Sequence, residues 1–354
     1  MKRQSAGWNG MALRIGIIGA GRTGLAKARR LESLRDVEIV AVADPSRPAR
    51  DALAGSFGVA LTVGDHRRLA ADETIDAVYV CSPAATHAPI AIHCLRGGKH
   101  VICAPPMAVS VAQAEEMLLA ARETGRRLFI ALANRYDPAC QYAAKLLDAD
   151  EIGRPFLTLA TCLVNEFDRL NDWHDWKGTW DVGGGGILIE RGCDMIDLVH
   201  HLITEVEAVS AVCTRFAIEP LHKAEDSCVL GLELADDLTA ELAMTGAARF
   251  STWPEKYKGF AMRVEIMGLD GSIRVTDTDP RLAIVSKKGG LRMIPASRIK
   301  SDLPTDMDRH FVDCILRDEQ PLVTAEQARN ALKVVLAAYK SSQMKRRVEM
   351  IEQI

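Results

Sequence analysis

Three glycines in the run Gly19-Ala20-Gly21-Arg22-Thr23-Gly24 follow directly on the apolar stretch Leu13–Ile18 and open a helical pattern. No other feature of the chain restricts its fold as tightly. The first glycine permits a sharp turn out of a strand, the second lets a pyrophosphate approach the backbone, and the third lets helix and strand pack closely. The start of the helix then presents unpaired N–H groups and the positive end of its dipole to an anion. The next apolar run, Val37–Ala43, is followed by Asp44. That is about 20 residues past the motif, where a carboxylate takes the ribose hydroxyls of an adenosine. Gly19, Gly21, Arg22, Thr23, Gly24 and Asp44 are therefore candidate dinucleotide contacts. Asp44 repels a 2′-phosphate and favours NAD. Ser46 and Arg47 follow closely, and an arginine accepts that phosphate, so NADP stays open.

The rest of the N-terminal part keeps the same rhythm. Short apolar runs at Leu13–Ile18, Val37–Ala43, Ala77–Cys81, His100–Cys103 and Leu128–Ala133 alternate with helical patterns. Continuous apolar strands of this kind are covered on both faces. Strand–helix alternation then means a doubly wound parallel α/β domain. Ser110 with Gln113 reads as a capping box, and Gly125 as a helix C-terminal cap. The domain spans residues 1–135, with 1–11 as a loose extension. Asp137–Pro138 starts a helix as N-cap and first residue.

Residues 136–354 read differently. A strand at Phe156–Val164 leads to a loop rich in Trp and charge, then to the glycines Gly183–Gly186 and a helix from Ile187 to about Ile203. From Glu205 to about Met293 antiparallel strands are expected, with turns at Asp236–Asp237 and Asp270–Gly271. Helices at Asp306–Leu316 and Thr324–Lys340 close the chain. The expected architecture is α/β: a Rossmann domain, then an α/β domain with a large, mostly antiparallel open sheet. A sheet of that kind covers its second face with helices or with a partner subunit.

At 354 residues the chain is long enough for about two such domains. Its net charge of −3 gives no basic surface for nucleic acid. No apolar run reaches the length of a membrane span, and the first residues lack the apolar core of a signal peptide. The nine cysteines are scattered and never form a C-x-x-C pair. That points to a reducing compartment, and hence the cytoplasm, rather than to disulfides or zinc.

At this point the residues resemble the glucose–fructose oxidoreductase / inositol dehydrogenase / MocA family. The segments carrying the resemblance are Val78 to His87, Gly97 to Val101, Asn134 to Pro138 and Glu151 to Pro155. Gly184 to Gly186 with Gly192 and Asp197 add to it, as does the tail from Phe311 through Thr324–Gln327 to Ser341. The resemblance covers nearly the whole chain in the right order. It implies a dehydrogenase of sugars, cyclitols or related polyols that uses NAD or NADP. It also implies dimers or tetramers built through the C-terminal sheet. By the same resemblance Ser82, Pro83, Thr86, His87, Ala104 and Asn134 lie along the cofactor.

Two departures stand out. The family usually carries a glutamate–lysine–proline run after the fourth of these strands; here it is Ala104-Pro105-Pro106, so the lysine is Pro105. The family usually places an aspartate, a histidine four residues on, and an aspartate three further; here they are Glu190, Asp194 and Asp197. Oxidising an alcohol requires a base for the hydroxyl proton. Glu190, Asp194 and Asp197 share one helical face, and crowded carboxylates are expected to raise one pKa. Asp194 is thus the candidate base, with His174 and Lys177 from the Trp-rich loop as alternatives. His201 extends the same face, but the ligand set is too diffuse for a metal site, and none is expected. Candidate substrate contacts are Arg135, which can bind a carboxylate, Tyr136, Trp176, Glu190 and Asp197. Three readings remain: a polyol or sugar-acid oxidoreductase, an enzyme that uses tightly bound NAD for transient oxidation, or a dinucleotide-binding protein without catalysis.

Overall fold

The computed structural model describes residues 12–172, 175–218, 223–248 and 260–353. The expected extension at 1–11, and Trp173 and His174, lie outside the described residues. The chain divides into two compact units: Met1–Ala131 with Asp306–Arg329, and Leu132–Thr305 with Asn330–Ile354.

The first unit opens with β1 (Leu13–Ile18), α1 (Arg22–Glu32), β2 (Val37–Ala43), α2 (Arg47–Phe57), β3 (Leu61–Val63), α3 (Arg67–Ala71) and β4 (Ala77–Val80). It continues with α4 (His87–Arg96), β5 (His100–Cys103), α5 (Val111–Thr124) and β6 (Leu128–Ile130). The six strands run parallel in the order β3-β2-β1-β4-β5-β6. The order reverses between β1 and β4, which is where such sheets bind their ligands, beyond the carboxyl ends of the strands. Leu13, Ile15, Ile17 and Val78–Val80 are fully buried, as continuous apolar strands require. The short edge strand β3 was not expected. The fifth expected strand stops at Ile130, because residues 134–136 turn into a 3₁₀ segment. Ser110 Oγ accepts the Gln113 N–H at 3.2 Å, while Gln113 reaches the N–H of Val109 rather than that of Ser110. Gly125 caps α5 at φ 63°.

The second unit holds α6 (Pro138–Asp148), β7 (Pro155–Val164), α7 (Phe167–Leu170), α8 (Ile187–Leu202), β8 (Val206–Thr214), β9 (Ser227–Leu234) and β10 (Leu238–Thr245). The strands β11 (Phe260–Gly268), β12 (Gly271–Thr276), β13 (Leu282–Ser286) and β14 (Gly290–Ile294) follow. After α9 (Met307–Arg317) and α10 (Ala325–Met344), the two-residue strand β15 (Val348–Glu349) completes a nine-stranded sheet. Its order is β14-β13-β12-β11-β7-β10-β9-β8-β15. Every pairing is antiparallel except β7 with β10. The inner face carries a row of sulfur side chains in register across five strands: Cys213, Cys228, Met244, Cys162 and Met262. Such polarizable groups fill irregular space under helices well. The opposite face leaves Val212, Val229 and Val285 at 63%, 48% and 46% exposure.

Helix α9 belongs to the first unit, so a single boundary after residue 135 does not describe this chain. The return is held by Phe311, fully buried and stacked on Phe129 with ring centroids 4.9 Å apart. Burying such a ring stabilises by about 1.5–3 kcal/mol. Asp308 accepts hydrogen bonds from the Tyr79 hydroxyl and the Lys27 ammonium, each at 3.0 Å.

Candidate dinucleotide turn and acidic helix

The glycine run folds as its spacing dictates. Gly19 has φ +98°, and a Cβ there would lie 2.7 Å from the carbonyl of Cys81, so the turn after β1 lies against the end of β4. A Cβ on Gly24 would collide with the carbonyl oxygen of Gly19. Gly21 differs from both, since a Cβ there would meet no protein atom within 4 Å. It is also the N-cap of α1, and no side chain caps that helix end. Open space over a bare helix N-terminus is what a pyrophosphate needs, so the chain fits a dinucleotide. Arg22 and Thr23 are the first residues of α1.

Asp44 is half-buried at the end of β2 and accepts the N–H of Ala20 at 2.7 Å and that of Ser46 at 2.8 Å. Each bond uses one carboxylate oxygen, which holds the acid rigidly beside the glycine turn. Ser46 Oγ caps α2 by accepting from Ala49 N–H at 3.4 Å. Arg47 is exposed and turned to Asp51, 3.3 Å away. Thr86 Oγ1 lies 2.7 Å from the Pro83 carbonyl and 2.8 Å from Ser82 Oγ. His87 is buried, and its two ring nitrogens each lie 2.7 Å from a carbonyl oxygen, of Ser82 and of Pro106. It ties the loop after β4 to the one after β5. Burial lowers its pKa, against the opposing pull of those carbonyls. Ala104 is buried and donates its N–H to Val80 at 3.0 Å.

In the second unit α8 carries Glu190, Asp194 and Asp197, and each has different surroundings. Asp194 is half-buried, and its Oδ1 accepts the N–H of Ala133 at 2.7 Å. Asn134 donates through Nδ2 to the main-chain oxygen of Asp194 at 3.1 Å. Burial pushes the Asp194 carboxyl up to about 6, against the lowering effect of the Ala133 N–H and of Arg191; Asp197 adds a smaller upward push. The expected rise is present, but its main cause is desolvation rather than crowding. Asp197 is 1% exposed and forms a two-pronged ion pair with Arg135, itself 6% exposed, at 2.7 and 2.8 Å. Burial raises the Asp197 pKa, and Arg135 opposes that rise. Arg135 therefore already holds a carboxylate, that of Asp197. Tyr136 beside it is buried.

Glu190 sits in a network of alternating charge. Lys177 donates to it, and Arg169 lies 3.4 Å away. Burial pushes the Glu190 carboxyl up, but Lys177, Arg169 and Arg191 outweigh it and hold it below the usual range. Arg169 also pairs with Glu166, as does Arg191 at 3.3 Å. Trp176 is 37% exposed beside Lys177. Glu166, Arg169 and Arg191 escaped sequence reasoning, because the partners that make them a network come from separate elements. Among the described residues no group of three or more His, Cys, Asp or Glu is arranged to hold a metal. None of the described helices is long and apolar enough to cross a membrane.

Comparison with known proteins places this geometry. Residues 13–132 match the model of an oxidoreductase family's NAD-binding Rossmann fold, and residues 144–350 match that family's C-terminal alpha/beta domain. A myo-inositol 2-dehydrogenase of Thermotoga maritima is 25% identical over 350 residues, 97% of this chain and 100% of that one. A scyllo-inositol 2-dehydrogenase (NAD(+)) of Bacillus subtilis is 26% identical over 334 residues, covering 93% and 94%. The structure of a levoglucosan dehydrogenase in complex with NADH aligns with a TM-score of 0.83 at 22% identity. That alignment spans 96% of this chain and 99% of that one, a likeness of fold.

Proposed function

The chain belongs to the Gfo/Idh/MocA oxidoreductase family, and we propose that it is an NAD-dependent dehydrogenase of a neutral sugar or cyclitol, with Asp194 as its base. Bound NAD+ supplies a hydride acceptor. Gly19, Gly21 and the start of α1 hold its pyrophosphate, and Asp44 takes the ribose hydroxyls. Asp44 and the outward turn of Arg47 toward Asp51 favour NAD over NADP.

The observation that carries the reading is the state of Asp194. A base works best with a pKa near the operating pH, and Asp194 is raised to about 6 while Ala133 N–H fixes one of its oxygens. The other oxygen accepts the hydroxyl proton as the C–H electron pair leaves as hydride and a ketone forms. Lys177, held by Glu190, supplies the cation that orients a substrate hydroxyl. Trp176 offers an apolar face to the ring. Arg135 and Asp197 act on this site by holding the segment after β6 against α8.

The charge pattern favours a neutral substrate over a sugar acid. Arg135, Lys177, Arg169 and Arg191 each have a carboxylate partner in the same unit. A substrate carboxylate would compete with those partners. The uncharged hydroxyls of a polyol would not. The exposed valines of the sheet's outer face favour self-association there, as homodimers or homotetramers.

The test is absorbance at the reduced nicotinamide band with NAD+ and a panel of cyclitols, pyranoses and sugar acids. Reduction with a neutral polyol and not with sugar acids is expected. Silence across the panel with NAD+ bound contradicts the proposal, and product without net NADH indicates transient oxidation instead.

A further inference from the structure

A helix leaves its first four N–H groups without partners inside the helix. At α8 two residues from elsewhere in the chain take them all. The N–H of Gly186 points at both carboxylate oxygens of Glu225, at 3.2 and 3.1 Å. Ile187 N–H donates to the main-chain oxygen of Glu225 at 3.3 Å, and Leu188 N–H to its Oε1 at 2.9 Å. Ile189 N–H donates to the Tyr339 hydroxyl at 3.2 Å. That hydroxyl in turn donates to Glu225 Oε1 at 2.7 Å. Glu225 is 4% exposed and Tyr339 is 7%. Burial raises the Glu225 pKa, opposed by the Tyr339 hydroxyl and the helix N–H groups.

The fit depends on the glycines. A Cβ on Gly186 would strike the Glu225 main-chain oxygen, and one on Gly185 would strike the Tyr339 hydroxyl. The glycine run therefore does more than turn the chain: it admits a carboxylate and a phenol into the helix start. The far side of the same helix is docked at Asp194 and Asp197 by Ala133, Asn134 and Arg135. Asp194 lies two turns beyond Ile187, and a helix is stiff over that length. An axial shift at the first turn is carried to Asp194, at about 1.5 Å for each residue of slip.

We propose that Glu225 and Tyr339 are positioning residues for the reaction: they set where α8 stands along its axis, and so bring the Asp194 carboxylate onto the Ala133 N–H. This rests on the reading of Asp194 as the base. Neither residue touches substrate in this account, and both act through α8.

The experiment compares the full-length chain with Tyr339→Phe, Glu225→Gln and Glu225→Ala. Tyr339→Phe keeps the ring that packs against Trp180, with centroids 5.0 Å apart. Displacements near 1 Å at a reacting group cost up to about 100-fold in rate. Tyr339→Phe is expected to lower kcat roughly 10- to 100-fold, with KM changed less than about twofold. The acid limb of the pH profile should move above 6, because the Ala133 N–H is the largest of the effects that hold the Asp194 carboxyl down. Amide exchange should quicken through Asp194. Glu225→Gln, which keeps one acceptor oxygen, should recover part of the rate that Glu225→Ala loses. Unchanged kcat, with faster exchange confined to residues 186–189, overturns the proposal: the cap would then be a local stabiliser. Asp194→Asn is measured alongside. If it turns over at the wild-type rate, the base reading has failed, and exchange at Asp194 still decides whether the cap positions the helix.

Discussion

The N–H of Ala133 donates to Oδ1 of Asp194 at 2.7 Å, so the segment after β6 grips the middle acid of α8. A half-buried carboxylate held this way has a cost when charged. Its ordinary value near 3.8 is raised to about 6. Between those values the folded chain keeps a proton that the unfolded chain has released. Stability therefore falls as pH rises through that window, and the loss is complete above it. Asp194→Asn should unfold at higher urea than wild type near pH 8, by about 1–2 kcal/mol after allowance for solvent screening. Near pH 4 or below the two should unfold alike. Equal stability at both pH values would mean that Asp194 is not raised.

The glycine turn gives a paired prediction. Gly21→Ala should fold with wild-type thermal stability, since a Cβ there meets no protein atom. It should weaken NAD+ binding about tenfold or more by filling the approach to the pyrophosphate. Gly24→Ala should unfold the first unit, because its Cβ meets the Gly19 oxygen. Thermal melts and NAD+ titration separate the two. Unaltered NAD+ affinity in Gly21→Ala would place the dinucleotide elsewhere.

Asp44 should set cofactor choice. Asp44→Ser removes the charge that repels a 2′-phosphate and loosens the anchor on Ala20 and Ser46. NAD+ affinity should fall about tenfold and the NAD+/NADP+ preference should narrow or invert. Titration with both nucleotides reads it directly. An unchanged ratio would remove Asp44 from cofactor discrimination.

The Arg135–Asp197 pair is buried on both sides. Arg135→Met leaves an uncompensated carboxylate and should destabilise by about 3–5 kcal/mol. Adding Asp197→Leu should recover much of that loss, because an apolar pair of similar volume avoids the desolvation penalty. Urea unfolding of the single and double variants checks this. A double variant no more stable than Arg135→Met would show that the pair does more than compensate itself.

Local signals in the sequence carry the first unit. Gly19 to Gly24, Asp44 and the apolar strands each speak through neighbours within a few positions, and the parallel sheet follows from them. The edge strand Leu61–Val63 is too short to announce itself, and Leu128–Ala133 loses its last residues to the turn that docks on α8. The acidic helix was half legible. Its spacing puts Glu190, Asp194 and Asp197 on one helix. Their separate states depend on Lys177, Ala133 and Arg135, which only folding brings there. Glu225 and Tyr339 were invisible, since they meet Gly186 across 39 and 153 positions of chain. Asp308 likewise explains after the fact why α9 returns to the first unit.

The account turns on Asp194 taking the proton. The most direct measurement is the pH dependence of NADH formation by wild type and Asp194→Asn, with a neutral polyol that the wild type oxidises. The wild type should lose kcat/KM tenfold per pH unit below about 6. Asp194→Asn should lose at least about 100-fold at neutral pH, keep its NAD+ affinity and show no acid limb near 6. A variant that turns over like wild type with the same limb would contradict the claim.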